Sequence, residues 1–300
     1  MPELVNLGSL CIDHVYSVPS IVRAGETLVG DAPVRHPGGK GLNQSLAAAK
    51  AGVRVAHIGC VGLDGVWLKD LLANAGVDVS GVRVCETHPT GHAMIQVCPH
   101  GENAIVIVGG ANRTIQPADV DRAITRVGNE GWLLLQNEIN DVEDVLRAAR
   151  RARVRVAFNI APVDGRESSY GLDSVELLLL NEIEAAALAR ETDPQLALDR
   201  LTRERPEQHV VITLGVHGVL YGCGSERIRL PAFEVMAVDE TGAGDAFIGH
   251  LMAAWFDDDV AVRERLRRAS AAGALAVCLP GAADAIPDSA TVRQFLADYR

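Results

Sequence analysis

Asp245 ends the run Val238-Asp239-Glu240-Thr241-Gly242-Ala243-Gly244-Asp245, where residue types suit proton transfer beside a bound anion. Glycines ahead of a helix let backbone N–H groups approach a phosphate, and the helix dipole favours negative charge at that end. Gly242, Ala243 and Gly244 would then supply an anion hole while the Asp245 carboxylate takes a proton from an incoming hydroxyl. A capping aspartate after a flexible turn has the same sequence, so these residues alone leave the two readings even. The segment is neither a Walker A loop nor G-x-G-x-x-G, lacking the lysine of the first and the spacing of the second.

A second segment, Gly38-Gly39-Lys40-Gly41-Leu42-Asn43-Gln44, opens a helical pattern. Its glycines permit close approach of a ligand to the backbone, and Lys40 and Asn43 offer donors suited to a polyol. A tight loop with a capped helix fits it too, and by itself it names no reaction.

The elements that must hold these segments alternate. Residues 4–8, 54–59, 132–136, 154–159, 176–180 and 209–214 read as buried strands, and residues 41–51 and 64–75 as helices, the second ended by Gly76. Residues 239–256 and 262–277 read as a loop feeding two helices. Alternation of this kind predicts an α/β fold with a mostly parallel sheet covered on both faces. Two stretches break the rhythm. Residues 10–36 hold two short extended runs around a Gly25-Glu26 turn. Residues 92–98 and 103–108 are β-like runs joined by Pro99-His100-Gly101-Glu102, a hairpin signal. Strands outside the alternating series predict a small β lid.

Composition narrows the function classes. The chain has 300 residues, 48% hydrophobic and 22% charged, as in an ordinary globular enzyme. Its net charge of −11 argues against nucleic acid or an anionic membrane surface as partner, though not against phosphate held by backbone N–H groups. Six scattered cysteines without a C-x-x-C pair predict a reduced, cytoplasmic chain. The start lacks a signal-peptide pattern, and no apolar run is long enough to span a bilayer.

Taken together, the early Gly-Gly-Lys-Gly-x-Asn-Gln and the late Asp-x-Thr-Gly-Ala-Gly-Asp resemble the two signature regions of the PfkB carbohydrate kinase family, in its ribokinase-like branch. Further segments fall in that family's order over nearly the whole chain. They are Gly8-Ser9-Leu10-Cys11-Ile12-Asp13-His14, Gly25-Glu26-Thr27, Gly109-Gly110-Ala111-Asn112, Gln136-Asn137-Glu138, Asn159-Ile160-Ala161-Pro162, Asn181-Glu182-Ile183-Glu184 and Thr213-Leu214-Gly215-Val216-His217-Gly218.

The resemblance implies a ribokinase-like three-layer sandwich, one domain over residues 1–300 with lid strands inserted at about 10–36 and 90–108. It implies an ATP-dependent sugar kinase using Mg2+ and a monovalent cation, typically K+, and a homodimer paired through its lids. Asp245 would be the base and the Gly242–Gly244 backbone the anion hole. Cys11, Asp13, Gly39, Lys40, Asn43 and Glu138 would surround the sugar. Asn181 and Glu184 would sit near the ATP phosphates, Glu184 acting on magnesium through water. Thr213, Gly215, Gly218, Gly244 and Ser270 would lie along the nucleotide. Asp239, with the carbonyls of Thr241, Ala276, Leu279 and Gly281, would hold the monovalent cation.

One position departs from the family's Gly-Ser-x-Asn-x-Asp pattern: Cys11 stands where the asparagine is usual. A thiol is a poor hydrogen-bond partner, and a badly paired hydroxyl costs about 1–3 kcal/mol, enough to reorder substrates. Ribose, a deoxy sugar, another pentose or hexose, or a nucleoside therefore all stay open as acceptors. His36 and Pro37 are further unusual neighbours of the glycine loop. A nucleoside kinase and a non-catalytic sugar- or nucleotide-binding relative are the competing readings.

Overall fold

Buried aliphatic runs become the strands of a nine-stranded sheet. In the computed structural model, which describes residues 3–30, 32–100 and 102–299, the chain opens with β1 (Leu4–Leu7) in the interior of that sheet. It leaves for β2 (Cys11–Ser17) and β3 (Val34–Gly38), then returns through α1 (Lys40–Lys50), β4 (Val55–Gly62), α2 (Val66–Asn74) and β5 (Asp78–Cys85). A second excursion makes β6 (Gly91–Val97) and β7 (Asn103–Val108). Alternation then resumes, broken where β10 follows β9 without an α-helix and α6 follows α5 without a strand: α3 (Pro117–Val127), β8 (Trp132–Gln136), α4 (Val142–Ala152), β9 (Val156–Asn159), β10 (Leu177–Asn181), α5 (Glu182–Ala189), α6 (Pro194–Glu204) and β11 (His209–Thr213). The hairpin β12 (Val219–Cys223) and β13 (Glu226–Leu230) and the helices α7 (Ala243–Trp255), α8 (Val262–Ala276) and α9 (Ser289–Asp298) complete the chain.

The strand order is β13-β12-β11-β10-β9-β8-β1-β4-β5, all running the same way except β12, which is antiparallel to both β11 and β13. Because strand side chains alternate between faces, Leu4 and Leu134 pack with α1 and α7 in one core, while Val5, Leu7, Leu133 and Leu135 pack with α3 and α4 in the other. The result is three layers, α/β/α. Gln136 and Asn159 end the neighbouring strands β8 and β9 in register with each other, and Asn6, one place before the end of β1, is in register with Leu134, two residues before Gln136. Their parity points them toward α1 and α7, at the carboxyl edge where open α/β sheets take ligands.

The two excursions form one four-stranded lid of order β3-β2-β6-β7, in which β2 and β6 are parallel and the other pairs antiparallel. Gly25 turns with φ 81° inside the first excursion, and Gly101 of the expected hairpin turn lies outside the described residues. Sequence reading did not anticipate β5, the β12–β13 hairpin or α9.

Candidate functional site

Gly242 caps α7 in the left-handed region at φ 79°, and a Cβ built there would fall 2.8 Å from the Ala282 Cβ. Gly244 has open space where its side chain would be. Asp245 follows at the third helical position, 8% exposed. It does not cap the helix. Its Oδ2 accepts from the Asn43 Nδ2 at 3.0 Å and its Oδ1 from the Gln44 Nε2 at 2.8 Å. Two facing helices thus aim their first turns at one point, α1 bringing amide donors and α7 the carboxylate.

The start of α1 is held by Glu138, which follows β8. Its Oε2 accepts the Lys40 backbone N–H at 2.9 Å and the Ser9 hydroxyl, and Ser9 Oγ accepts the Gly41 N–H at 3.1 Å. Gly39 needs φ 91° here, with the Cys11 N only 3.0 Å from where its Cβ would stand. Asp13 enters from lid strand β2, and a Cβ on Gly38 would lie 2.1 Å from its Oδ2. Burial, then the charges of Glu138 and Asp245, push the Asp13 carboxyl up to about 6. Burial opposes the charge of Lys40, yet Asp245, Glu138 and Glu184 together hold its ammonium above the usual lysine value. The site is therefore a cluster of carboxylates around one cation.

Cys11 is buried, and its Sγ accepts from the Asn112 Nδ2 at 3.3 Å. The same asparagine brackets Leu10, accepting its N–H and donating to its carbonyl, each at 3.0 Å. Burial, then Glu138 and Asp13, push the thiol well above its ordinary value, so Cys11 is a neutral wall residue and not a nucleophile.

A cleft at the ends of β9, β10 and β11 is lined by Lys40, Asn181, Glu184, Thr213, Gly244 and Asp245, among others. Asn181 and Glu184 form a capping box for α5. Glu184 Oε2 accepts the Asn181 N–H at 2.7 Å, and Asn181 Oδ1 accepts the Glu184 N–H at 2.8 Å. Their spacing thus serves the helix start and places both at the cleft. Burial raises the Glu184 carboxyl above the usual glutamate value. Gly215, Gly218 and Ser270 are not among the cleft-lining residues. Gly218 has its own reason to be glycine, with φ 93° and the Leu230 carbonyl 2.0 Å from where a Cβ would stand.

The loop before α7 is lashed to the segment after α8. Asp239 Oδ1 accepts the Thr241 N–H at 2.9 Å and its Oδ2 accepts the Gly281 N–H at 2.8 Å. The Val238 and Asp239 N–H groups both donate to the Val277 carbonyl. Burial works against the Asp239 charge, but the bonds from Thr241 and Gly281 hold its carboxyl below the usual range. Asp239, Thr241, Leu279 and Gly281 therefore lie on two adjoining segments. Among the described residues no group of three or more His, Cys, Asp or Glu side chains is placed to hold a metal ion directly.

Sequence reasoning gave no role to Gln44, Asn6, Gln136, Asn159, Ser9 or Asn112. A signal was present for three of them, since Asn6, Gln136 and Asn159 are lone amides within or ending apolar runs, a costly placement unless each is paired.

Comparison with known proteins places the geometry in context. The model of the pfkB family carbohydrate kinases matches residues 1–289. The ribokinase of Haemophilus influenzae is 34% identical over 301 residues, covering 98% of both chains. The deoxyribokinase of Salmonella typhi is 28% identical over 305 residues, covering 98% of this chain and 99% of its own. The structure of Arabidopsis thaliana ribokinase complexed with ribose and ATP superposes with a TM-score of 0.84 at 29% identity, covering 98% of each chain. No helix among the described residues is long and apolar enough to cross a membrane.

Proposed function

The chain belongs to the pfkB family of carbohydrate kinases, and on that premise we propose that it transfers the terminal phosphoryl group of ATP to a hydroxyl, primary by preference, of a small sugar, with Asp245 as general base. The observation that carries this reading is the state of Asp245: buried in the first turn of a glycine-capped helix, bound by two amide donors, and not spent on capping. Each carboxylate oxygen keeps a lone pair for the acceptor hydroxyl. In this reading the Gly242 and Gly244 N–H groups meet the charge that develops on the transferring group, while the Ala243 N–H already donates to the Glu240 carbonyl at 3.3 Å.

Asp13, Gly39, Lys40, Asn43 and Glu138 hold the sugar in this reading. Asn43 donates to Asp245, and its buried Oδ1 has no partner among the described residues, which leaves it for a hydroxyl donor. Cys11 offers that pocket a neutral thiol already engaged by Asn112. A sugar lacking one hydroxyl at that point loses little, so 2-deoxyribose ranks beside ribose as acceptor. Likeness to a ribokinase and to a deoxyribokinase leaves the same pair open.

Asn181, Glu184, Thr213 and Gly244 take the nucleotide side, with Gly215, Gly218 and Ser270 farther along it. The Glu184 carboxylate keeps lone pairs beyond the capping box and suits the water shell of Mg2+, which when bound neutralises phosphate charge. Asp239 with the carbonyls of Thr241, Ala276, Leu279 and Gly281 suits K+, and rate stimulation by KCl over NaCl would bear on that assignment. The whole chain acts as one domain carrying its lid, works in the cytoplasm, and pairs into a homodimer through the lid.

The experiment is a panel of ribose, 2-deoxyribose, fructose, tagatose and nucleosides with Mg-ATP, run on the wild type and on Asp245→Asn. Turnover of a free sugar that Asp245→Asn loses by about 10²-fold or more supports the base. Wild-type rates in that variant would sink it, and turnover of nucleosides alone would replace sugar by nucleoside.

A further inference from the structure

Behind Asp245 the core contains a chain of polar side chains in which, among the described residues, only the Gln136 oxygen lacks a partner. Asn6, Gln44, Ser45, His57 and Gln136 are all fully buried, and Asn159 nearly so. Main-chain carbonyls, which can only accept, fix the direction of every bond in the chain.

The first anchor is the Gly41 carbonyl. It receives a hydrogen bond from Asn6 at 2.8 Å, so that end of the Asn6 amide is the nitrogen and the other end is the oxygen. The Asn6 oxygen faces Gln136 at 3.1 Å, so the near end of Gln136 is its nitrogen. That nitrogen spends its second hydrogen on Gln44 at 2.7 Å, which requires the oxygen of Gln44 there. The amide nitrogen of Gln44 is left pointing at Asp245.

A second anchor agrees independently. Asn159 donates to the Leu179 carbonyl at 3.2 Å, so its oxygen faces Gln44 at 3.1 Å and demands a donor. The third anchor is the Gly8 carbonyl, 3.3 Å from His57 Nε2. Burial holds His57 neutral, down at about 4, so Nε2 carries its one proton and Nδ1 accepts from the Ser45 hydroxyl at 2.8 Å. Ser45 Oγ must then accept from the Asn6 nitrogen, as its 2.8 Å contact allows. All three anchors impose one orientation on Gln44.

We propose that Gln44 is a positioning residue for Asp245. Asn6, Gln136 and Asn159 lock its amide with the nitrogen toward the carboxylate and so hold that carboxylate in the plane from which it meets the acceptor hydroxyl. Reversal of the Gln44 amide would set its oxygen against both the Asp245 carboxylate and the Asn159 oxygen, and its nitrogen against that of Gln136. Gln44 itself transfers no proton. The proposal rests on Asp245 acting as the base, and the Asp245→Asn variant keeps failure of that reading separate from failure of this one.

The test measures kcat and KM separately for sugar and for ATP in Gln44→Met and Gln136→Met, both close to glutamine in volume. Gln136 contacts neither Asp245 nor the cleft. The expected result is a kcat lower by about 10- to 100-fold for Gln44→Met and by about 3- to 10-fold for Gln136→Met, with both KM values within about twofold. The unmodified enzyme gives a second readout, because the locked Gln44 amide protons should exchange with solvent far more slowly by NMR than those of exposed glutamines. If Asp245→Asn is inactive while both methionine variants keep wild-type kcat, or lose only KM, the positioning role is wrong. Fast exchange of the Gln44 amide overturns it even where neither variant folds.

Discussion

Gly249 of α7 lies so close to Ala47 of α1 that a Cβ on the glycine would fall 2.3 Å from the Ala47 Cβ and 2.6 Å from the Ala48 nitrogen. This contact sits one helical turn beyond Asp245 on α7 and one turn beyond Asn43 and Gln44 on α1. The same close approach therefore sets the reach of the two amide bonds to the carboxylate.

Gly249→Ala is expected to push the helices apart. Overpacking of this kind costs about 1–3 kcal/mol, and a shift of about 1 Å at the base lowers kcat by up to about 10²-fold. Thermal melting and kcat on the same preparation check it. A variant that melts early but turns over normally would show that the helix spacing does not set the site.

Asp13 predicts a pH effect on sugar binding. Its carboxyl is pushed up to about 6 in the folded protein, so it loses its charge as pH falls through that value. The sugar KM should then rise below about pH 6 while the ATP KM does not follow. Stability moves the other way. A carboxyl with a raised folded value binds protons more tightly folded than unfolded, so its burden on stability is present above about pH 6 and gone near pH 4. His57, held down at about 4, contributes with the opposite sign over the same window. The Asp13 contribution is therefore read as the difference between wild type and Asp13→Asn, with the variant's advantage largest above pH 6. A pH-independent difference would contradict it.

The fold was legible wherever a strand is mostly apolar or a helix follows glycine. Leu4–Leu7, Trp132–Gln136 and His209–Thr213 announced themselves by composition, and the lid by strands outside the alternation. β5, with Asp78, Ser80 and Arg83 in its sequence, hid because an edge strand tolerates polar residues. The β12–β13 hairpin hid for a similar reason, its last strand being Glu226–Leu230 with alternate arginines. In the site, Asp245, Asn43 and Glu138 were legible through their neighbours in sequence. The residues that orient them were not, because Gln44 and Gln136 meet across 92 positions of chain and Asn6 and Gln136 across 130. Only the fold brings such amides together.

Glu184 can be separated into its two duties. Glu184→Gln keeps an oxygen to accept the Asn181 N–H but loses the charge, whereas Glu184→Ala loses both. The alanine variant should lose about 1 kcal/mol, roughly 2 °C in melting temperature for a chain of this size, and the glutamine variant much less. Both should need more Mg2+ for half-maximal rate. A magnesium requirement that follows melting temperature across the two variants would mean that the capping box alone matters.

The lid predicts association. Ile105 and Ile107 of β7 are 52% and 55% exposed and pair in register with Ile95 and Ala93, while Val106 on the other face is 56% exposed. An edge strand apolar on both faces is expected to be covered by a second copy. Sedimentation should show a dimer for the wild type and a monomer for Ile105→Asp. A wild-type monomer at micromolar concentration would count against lid pairing.

The amide chain behind Asp245 also bears on how such an enzyme responds to selection. Buried polar groups are weak sources of stability, and an apolar set of the same shape is often the more stable arrangement. Gln136 even carries an oxygen with no partner among the described residues. A library chosen only for survival on heating would therefore replace Asn6, Ser45, His57 and Gln136 with aliphatic residues. Its winners would melt later and phosphorylate more slowly, because heat resistance and turnover make opposite demands on the same few side chains.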